Sequence, residues 1–288
     1  MMVKWSELAL KAPEGTRHVL GISGGKDSAA LAIYIKDNHP QIADRMEYFF
    51  TDTGAELQEV YDTLDKLEAH LGANITRLGH GRDFNHMLMM HDYSLPSARS
   101  RWCTHAMKLK PFEEFVGDDP VISYVGIRAD ENREGYISHK QTIRAVFPFT
   151  EDGIVRADVF QILEDSVGIP AYYEWRSRSG CYFCFFQRQD EWLGLKRRHP
   201  DLFKKAVEME KSVGMRKFDW GTTKRIESGN GYTWNQAGTL EEIVAMAEMK
   251  ELSESKVNKR ENMKWQDILK KEVVDDDPED QACLICSL

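Results

Sequence analysis

From position 18 to position 28 the chain reads His-Val-Leu-Gly-Ile-Ser-Gly-Gly-Lys-Asp-Ser, and a helical run begins at Ala29. A short apolar strand meets two glycines, a lysine and a serine, and then a helix starts. Glycines let a backbone approach phosphate and turn its N–H groups toward it. A helix N-terminus adds donors without intrahelical partners and the positive end of a dipole. Lys26 adds a mobile charge. Ser23, Gly24, Gly25, Lys26, Asp27 and Ser28 are therefore candidates to hold a phosphate chain. The run is not a Walker loop: only three residues separate Gly21 from Gly25, and Asp27 stands where a hydroxyl residue would follow the lysine,. An ordinary Gly-rich turn would explain the glycines but not the serines and lysine around them.

The five cysteines are the second chemical signal. Cys181 and Cys184 form one C-x-x-C pair, Cys283 and Cys286 another, and Cys103 stands alone among Arg99, Arg101, Lys108 and Lys110. Neighbouring cations lower a thiol's pKa and suit anionic ligands. In a cytosolic protein, clustered cysteines point to metal or redox chemistry rather than structural disulfides. Zinc asks for four ligands; Cys103, Cys181 and Cys184 give three, and a tail cysteine would give the fourth. An iron–sulfur cluster has the same arithmetic, and a cycling dithiol remains open. The acid-rich stretch 272–280 reads as a solvated tether,. On it, Cys283 or Cys286 is expected to complete the site or to visit it carrying sulfur as a persulfide.

Those residues need elements to position them. Residues 5–11 read as a short helix, 17–22 as a strand, 28–37 as its helix, and 46–50 as a buried parallel strand that runs into Thr51-Asp52-Thr53-Gly54,. Leu57, Val60, Leu64, Leu67 and Leu71 recur at helical spacing until Gly72,. Residues 74–78 and 121–125 read as further strands, 145–149 as a short strand ending at Pro148, and 156–167 as a helix. The order β-α-β-α-β predicts an α/β fold with a doubly wound, mainly parallel sheet whose ligands sit at the carboxyl ends of the strands. Asp52, Thr53 and the segment after the strand at 121–125, with Arg128, Asp130 and Glu131, share that end with the glycine loop.

The second half changes character, so the chain divides into residues 1–170 and a helical, cysteine-bearing region 171–288. Aromatics and cations interleave from Tyr172 to His199, as on a phosphate-tracking surface,. Residues 187–209, interrupted at Pro200, and residues 240–252 and 258–271 read as helices, with a loop at 214–235 between them. The net charge of −9 argues against blanket nucleic-acid affinity, so such a partner must meet a local basic patch,. No apolar run reaches eighteen residues, which leaves no membrane-spanning helix, and the charged first residues lack a signal-peptide core, so a cytoplasmic location is expected.

The run SGGKDS resembles the pyrophosphate loop of the N-type ATP pyrophosphatases, the PP-loop superfamily. TDTGAELQEVYDTL, RWCTHAMKLKPFEEF and the Gly126-Ile127-Arg128 segment look like parts of its phosphoadenosine-phosphosulfate (PAPS) reductase-like branch. With a late C-x-x-C added, the chain most resembles the DNA-phosphorothioation ATP pyrophosphatases of the DndC and SspD type, over about residues 18–190. The resemblance implies an adenine nucleotide alpha hydrolase-like fold, cleavage of ATP between its α- and β-phosphates, and magnesium. It implies nucleotide contacts from the six loop residues with Asp52, Thr53 and Arg128, with Arg128 facing phosphate and Asp130 and Glu131 able to hold magnesium, and catalytic roles for Lys26, Asp52 and Cys286. It also implies a [4Fe–4S] cluster, with zinc as the alternative, on Cys103, Cys181, Cys184 and Cys283. DNA, a cysteine desulfurase or other sulfur donor, and other modification-complex subunits are the implied partners. PAPS or APS reduction and tRNA thiolation are alternatives. Sulfonucleotide reductases end near a single active cysteine, whereas this chain ends in a second C-x-x-C.

Overall fold

The computed structural model describes residues 4–79, 81, 83–132, 140–214, 233–235 and 237–254. The expected helix at 258–271, the tether, Cys283, Cys286 and most of the loop 214–235 lie outside them. Five strands, β1 (Arg17–Gly21), β2 (Met46–Thr51), β3 (Ile75–Leu78), β4 (Val121–Tyr124) and β5 (Ile143–Val146), form an all-parallel sheet in the order β3-β2-β1-β4-β5. Central β1 pairs His18 with Met46 on one side and with Ile122 on the other. Strand order reverses between β1 and β4, and such a reversal opens a crevice at the carboxyl ends.

Helices α1 (Trp5–Leu10), α2 (Lys26–Asn38), α3 (Pro40–Ala43) and α4 (Gln58–Leu71) precede β3. The crossovers through α2 and α4 cover one face of the sheet, where Leu20, Tyr48, Phe50 and Ile122 pack with Leu31, Val60 and Leu64. The return to β4 runs through α5 (Phe84–Met90), α6 (Trp102–Thr104), a π-helical turn His105–Leu109 and α7 (Lys110–Val116). On the opposite face Phe112 and Val116 of α7 meet Val19, Phe49 and Val121. Phe112 stacks on Phe49 at 5.1 Å, a pairing worth about 0.5–1.5 kcal/mol beyond its area,. Pro111 lacks an N–H for the regular ladder, and the π turn directly before it is how the helix accommodates that loss,.

Beyond β5 come α8 (Pro148–Asp152), α9 (Arg156–Glu164), a 3-10 turn Ala171–Glu174, α10 (Gln189–Arg198), α11 (Pro200–Gly214) and α12 (Leu240–Glu254). The sequence placed a strand up to Pro148; the strand instead ends at Val146, and Pro148 opens α8 at a position where its missing N–H costs nothing,. Residues on both sides of position 170 share one apolar cluster: Tyr172, Tyr173, Trp175 and Trp192 pack in the same core as Leu20 and Ala29.

His18 sits inside this sheet, 1% exposed, with Nδ1 2.7 Å from the Tyr124 hydroxyl. Burial, helped by the Arg45 charge, lowers its pKa from 6.5 to about 4. The fold thus favours the neutral ring. That contribution is complete above pH 6.5 and is lost as pH falls through 4, by about 3 kcal/mol in all,. Urea midpoints measured from pH 7 to pH 4.5 should fall more steeply for the wild type than for His18→Gln, which keeps a polar partner for Tyr124 but cannot titrate. Equal slopes would remove His18 as the source.

Candidate functional site

The glycine loop lies between β1 and α2, at the point where the strand order reverses. Ser23 and Ser28 tie its two ends together. The Ser23 N–H donates to Ser28 Oγ at 3.1 Å, the two hydroxyls are 3.1 Å apart, and Ser28 Oγ donates to the Gly25 carbonyl. Gly24 turns the loop at φ +73, and a Cβ there would run into Val60 Cγ1 of α4. A Cβ at Gly126, just beyond β4, would lie 3.1 Å from the Asp27 backbone. Both glycines therefore serve close backbone approach, one on each side of the crevice.

Charge follows the same geometry. Lys26 is 1% exposed and its Nζ lies 3.2 Å from Asp27 Oδ2. The other Asp27 oxygen accepts from Arg128 Nη1 at 2.8 Å. Arg128, 2% exposed, also pairs with Asp130 at 3.0 Å and with Glu131 at 2.7 Å. Its guanidinium and the two acids are thus engaged with one another, where the sequence had assigned them to phosphate and to magnesium. Arg128 reaches the phosphate loop through Asp27.

Two tyrosines that the sequence did not single out complete the loop. The Lys26 backbone N–H, at the first position of α2, donates to the Tyr173 hydroxyl at 2.9 Å,. The Tyr172 hydroxyl donates to the Gly24 carbonyl at 2.5 Å. Lys26 Nζ lies 5.7 Å from the Tyr173 ring centroid. They open the aromatic-and-cation run read from Tyr172 to His199, but nothing local ties them to the glycine loop about 150 residues earlier in the chain.

At the end of β2, Asp52 Oδ1 accepts from the Gly54 N–H at 2.8 Å and from the Tyr61 hydroxyl at 2.9 Å. Since Val60 abuts Gly24 and Tyr61 holds Asp52, the start of α4 joins the two loops. Thr53 does not cap α4. Its hydroxyl donates to Glu56 Oε1 at 2.7 Å, and the Thr53 and Ala55 N–H groups and the Tyr61 hydroxyl converge on Glu56 Oε2. Residues 55–57 are held extended because Glu56 bridges Cys181 and the Tyr182 N–H donates to the Ala55 carbonyl at 2.9 Å. This is why α4 starts at Gln58 and not at Ala55.

The bridge brings the first C-x-x-C against the Thr-Asp-Thr-Gly segment. Cys181 Sγ lies 3.2 Å from Thr53 Oγ1 and 3.9 Å from Glu56 Oε1. Burial pushes the Cys181 thiol well up, and the Glu56 charge adds to that; Lys108, in the π turn, opposes it. Burial also raises the Glu56 carboxyl above its ordinary value. Cys184 folds back so that its N–H donates to the Cys181 carbonyl at 3.1 Å. Arg176, 1% exposed, donates to the carbonyls of Gly180 and Cys181, and Glu191 accepts from Ser177 and Arg188. Charges on Arg176 and Arg178 hold Glu191 below its ordinary value despite full burial. Cys103, Cys181 and Cys184 are free thiols. Among the described residues no group of three or more His, Cys, Asp or Glu has a metal-holding arrangement. Cys103, Cys181 and Cys184 thus form no such group, and the fourth expected ligand, Cys283, lies outside the described residues.

Glu56→Gln removes a negative charge beside Cys181 and should lower that thiol's pKa. Alkylation by iodoacetamide at pH 8, followed site by site with mass spectrometry, should then speed up at Cys181 by roughly 3–10-fold. An unchanged rate would show that Glu56 does not control this thiol.

Comparison with known proteins follows the same boundary. Residues 17–148 match the family of the phosphoadenosine phosphosulfate reductase domain, a span that includes Lys26, Asp52, Cys103 and Arg128 but ends before Tyr172 and Cys181. Two uncharacterized proteins of Methanocaldococcus jannaschii, MJ0066 and MJ0973, are each 27% identical, over 65% and 67% of this chain. The matched segments span 40% and 47% of those proteins, so this chain aligns with less than half of each. Among solved structures, the phosphoadenylyl-sulfate reductase of Candida auris, a phosphate complex, is similar at 14% identity and a TM-score of 0.43, covering 57% of this chain and 79% of that one. The parallel-sheet part of the chain is thus similar to the phosphoadenosine phosphosulfate reductase domain, over somewhat less than half of the chain.

Proposed function

We propose that the chain is an ATP pyrophosphatase that activates an acceptor oxygen for sulfur transfer, with a phosphate oxygen of DNA as the acceptor. The observation that carries the reading is the glycine loop itself. It stands at the reversal point of the sheet, its turn is fixed by Gly24, and buried Lys26 is held inside it by Asp27 and Tyr173. Backbone donors there, with Lys26, bind the β- and γ-phosphates. Asp27 orients Lys26 and is itself held by Arg128. Magnesium would neutralise charge on the leaving pyrophosphate, and Asp52 is the candidate to hold it, because only one of its oxygens is taken by Gly54 and Tyr61,.

In the first step the acceptor oxygen bonds to the α-phosphorus. The bond to the α–β bridging oxygen breaks, and pyrophosphate leaves with the electron pair. In the second, a thiol reductant cleaves the persulfide of a donor such as a cysteine desulfurase, is itself oxidised to a disulfide, and frees hydrosulfide; the hydrosulfide bonds to the activated acceptor phosphorus and displaces AMP, which departs with the former acceptor oxygen. Cys286, the proposed carrier, and Cys283 lie outside the described residues. A cluster or zinc ion on Cys103, Cys181, Cys184 and Cys283 has no step here. The family description favours one further reading, reduction of a sulfonucleotide, which would release sulfite.

The purified chain with ATP, magnesium and single-stranded DNA should yield AMP and pyrophosphate. Lys26→Ala removes a charge-assisted contact of about 1.5–3 kcal/mol and should lower turnover by about 10- to 150-fold. Formation of ADP and phosphate would overturn the reading. Sulfite from PAPS, with no turnover of ATP, would replace it with the reductase.

A further inference from the structure

Two arginines from distant parts of the chain meet on one aromatic ring. The Arg101 guanidinium carbon lies 4.9 Å from the centroid of Phe186, and that of Arg178 lies 5.1 Å from it. All three residues are half-buried. Neither arginine is in direct ion-pair contact with a described carboxylate, although the Arg178 charge acts on buried Glu191; Arg101 makes one long contact, Nε to the Ala98 carbonyl at 3.4 Å. The neighbouring Arg176 is different: its donors are used on the loop's own carbonyls. Each cation–π contact is worth only about 0.5–1 kcal/mol. With both guanidinium groups seated on one ring, the pair can meet neighbouring phosphates of one strand, and planar guanidinium forks fit phosphate oxygens bidentately,.

The pair also stands in the right place. Arg178 precedes Ser179, whose Oγ lies 2.8 Å from where a Cβ on Gly25 would stand. Arg101 precedes Cys103 by two residues. Chain connectivity thus ties one arginine to a residue that touches the glycine loop and the other to the turn that carries Cys103. We infer that Arg101 and Arg178, held over Phe186, form a second phosphate subsite that grips the phosphodiester backbone of a single-stranded acceptor beside the ATP loop. This rests on the reading above for its acceptor, but the subsite has a binding readout of its own. It accounts for how a chain of net charge −9 engages a polyanion: through a local pair of cations, not through its overall field,.

The test is fluorescence anisotropy of labelled 12-nucleotide DNA and RNA strands across a salt series, with ATP affinity measured in parallel. Arg101→Ala/Arg178→Ala should bind the strands at least about tenfold more weakly, with the log–log salt slope reduced by about 1.4 for two lost phosphate contacts. ATP affinity should stay within about twofold, which also shows that the variant is folded. Arg101→Lys/Arg178→Lys should keep most of the slope. The inference is overturned if the wild type binds neither strand, if the alanine pair binds like wild type, or if the lysine pair loses as much slope as the alanine pair. A parallel loss of ATP affinity in the alanine pair would assign the arginines to the nucleotide and overturn the acceptor subsite. Failure of ATP cleavage with strand binding lost in the alanine pair would remove the pyrophosphatase reading and leave the subsite standing.

Discussion

A guanidinium buried among three carboxylates holds the two sides of the crevice together. Arg128 leaves the end of β4, and its partners are Asp27 at the start of α2 and Asp130 and Glu131 just beyond β4. Removing a guanidinium from water costs several kcal/mol, and only good geometry with several partners offsets that. The network has a steric counterpart in Gly126, which lets the β4 loop come against the Asp27 backbone. Asp27 is the hinge of this arrangement, since its second oxygen holds Lys26. The lysine of the glycine loop is thus placed by an arginine about a hundred residues away.

A second set of contacts ties the cysteine-bearing region to the same loop. Tyr172 and Tyr173 take a carbonyl and an N–H of the glycine turn, while Arg176 and Glu191 shape the segment that carries Cys181. The loop therefore has walls from both halves of the chain. A phosphate loop built only from β1 and α2 would leave the Lys26 N–H to water. Here a phenol holds that donor, so a bound phosphate either exchanges with Tyr173 or uses the remaining N–H groups.

What the sequence revealed and what it hid divide along one physical line. The strands, the loop and the helix spacing of α2 and α4 were legible because each depends on residues near one another in the chain. Arg17–Gly21 and Lys26–Asn38 fall within one or two residues of the expected bounds. Contacts made across the fold were not legible. Nothing local tells that Glu56 will pair with Cys181, or that this pairing will delay α4 to Gln58. Arg128 shows the intermediate case. Its position at a strand end was readable, but its partners were not, because the acids two and three residues away and the distant Asp27 compete with any phosphate for the same donors.

The placement of Cys181 follows from that non-local pairing and bears on its chemistry. Sequence neighbours suggest an electropositive thiol, with Arg176 and Arg178 a few residues before it. In the fold those two charges act on Glu191, and Arg176 also serves the loop's carbonyls, while Cys181 itself faces Thr53 and Glu56. A thiol beside a carboxyl and away from water holds its proton. Lys108 opposes this, and it is carried by the π turn that Pro111 imposes,. Proton loss from Cys181 is therefore set by the balance of Glu56 against Lys108, two residues on different walls of the crevice. Anything that draws Lys108 away, or adds a proton or a cation at Glu56, shifts that thiol without touching it.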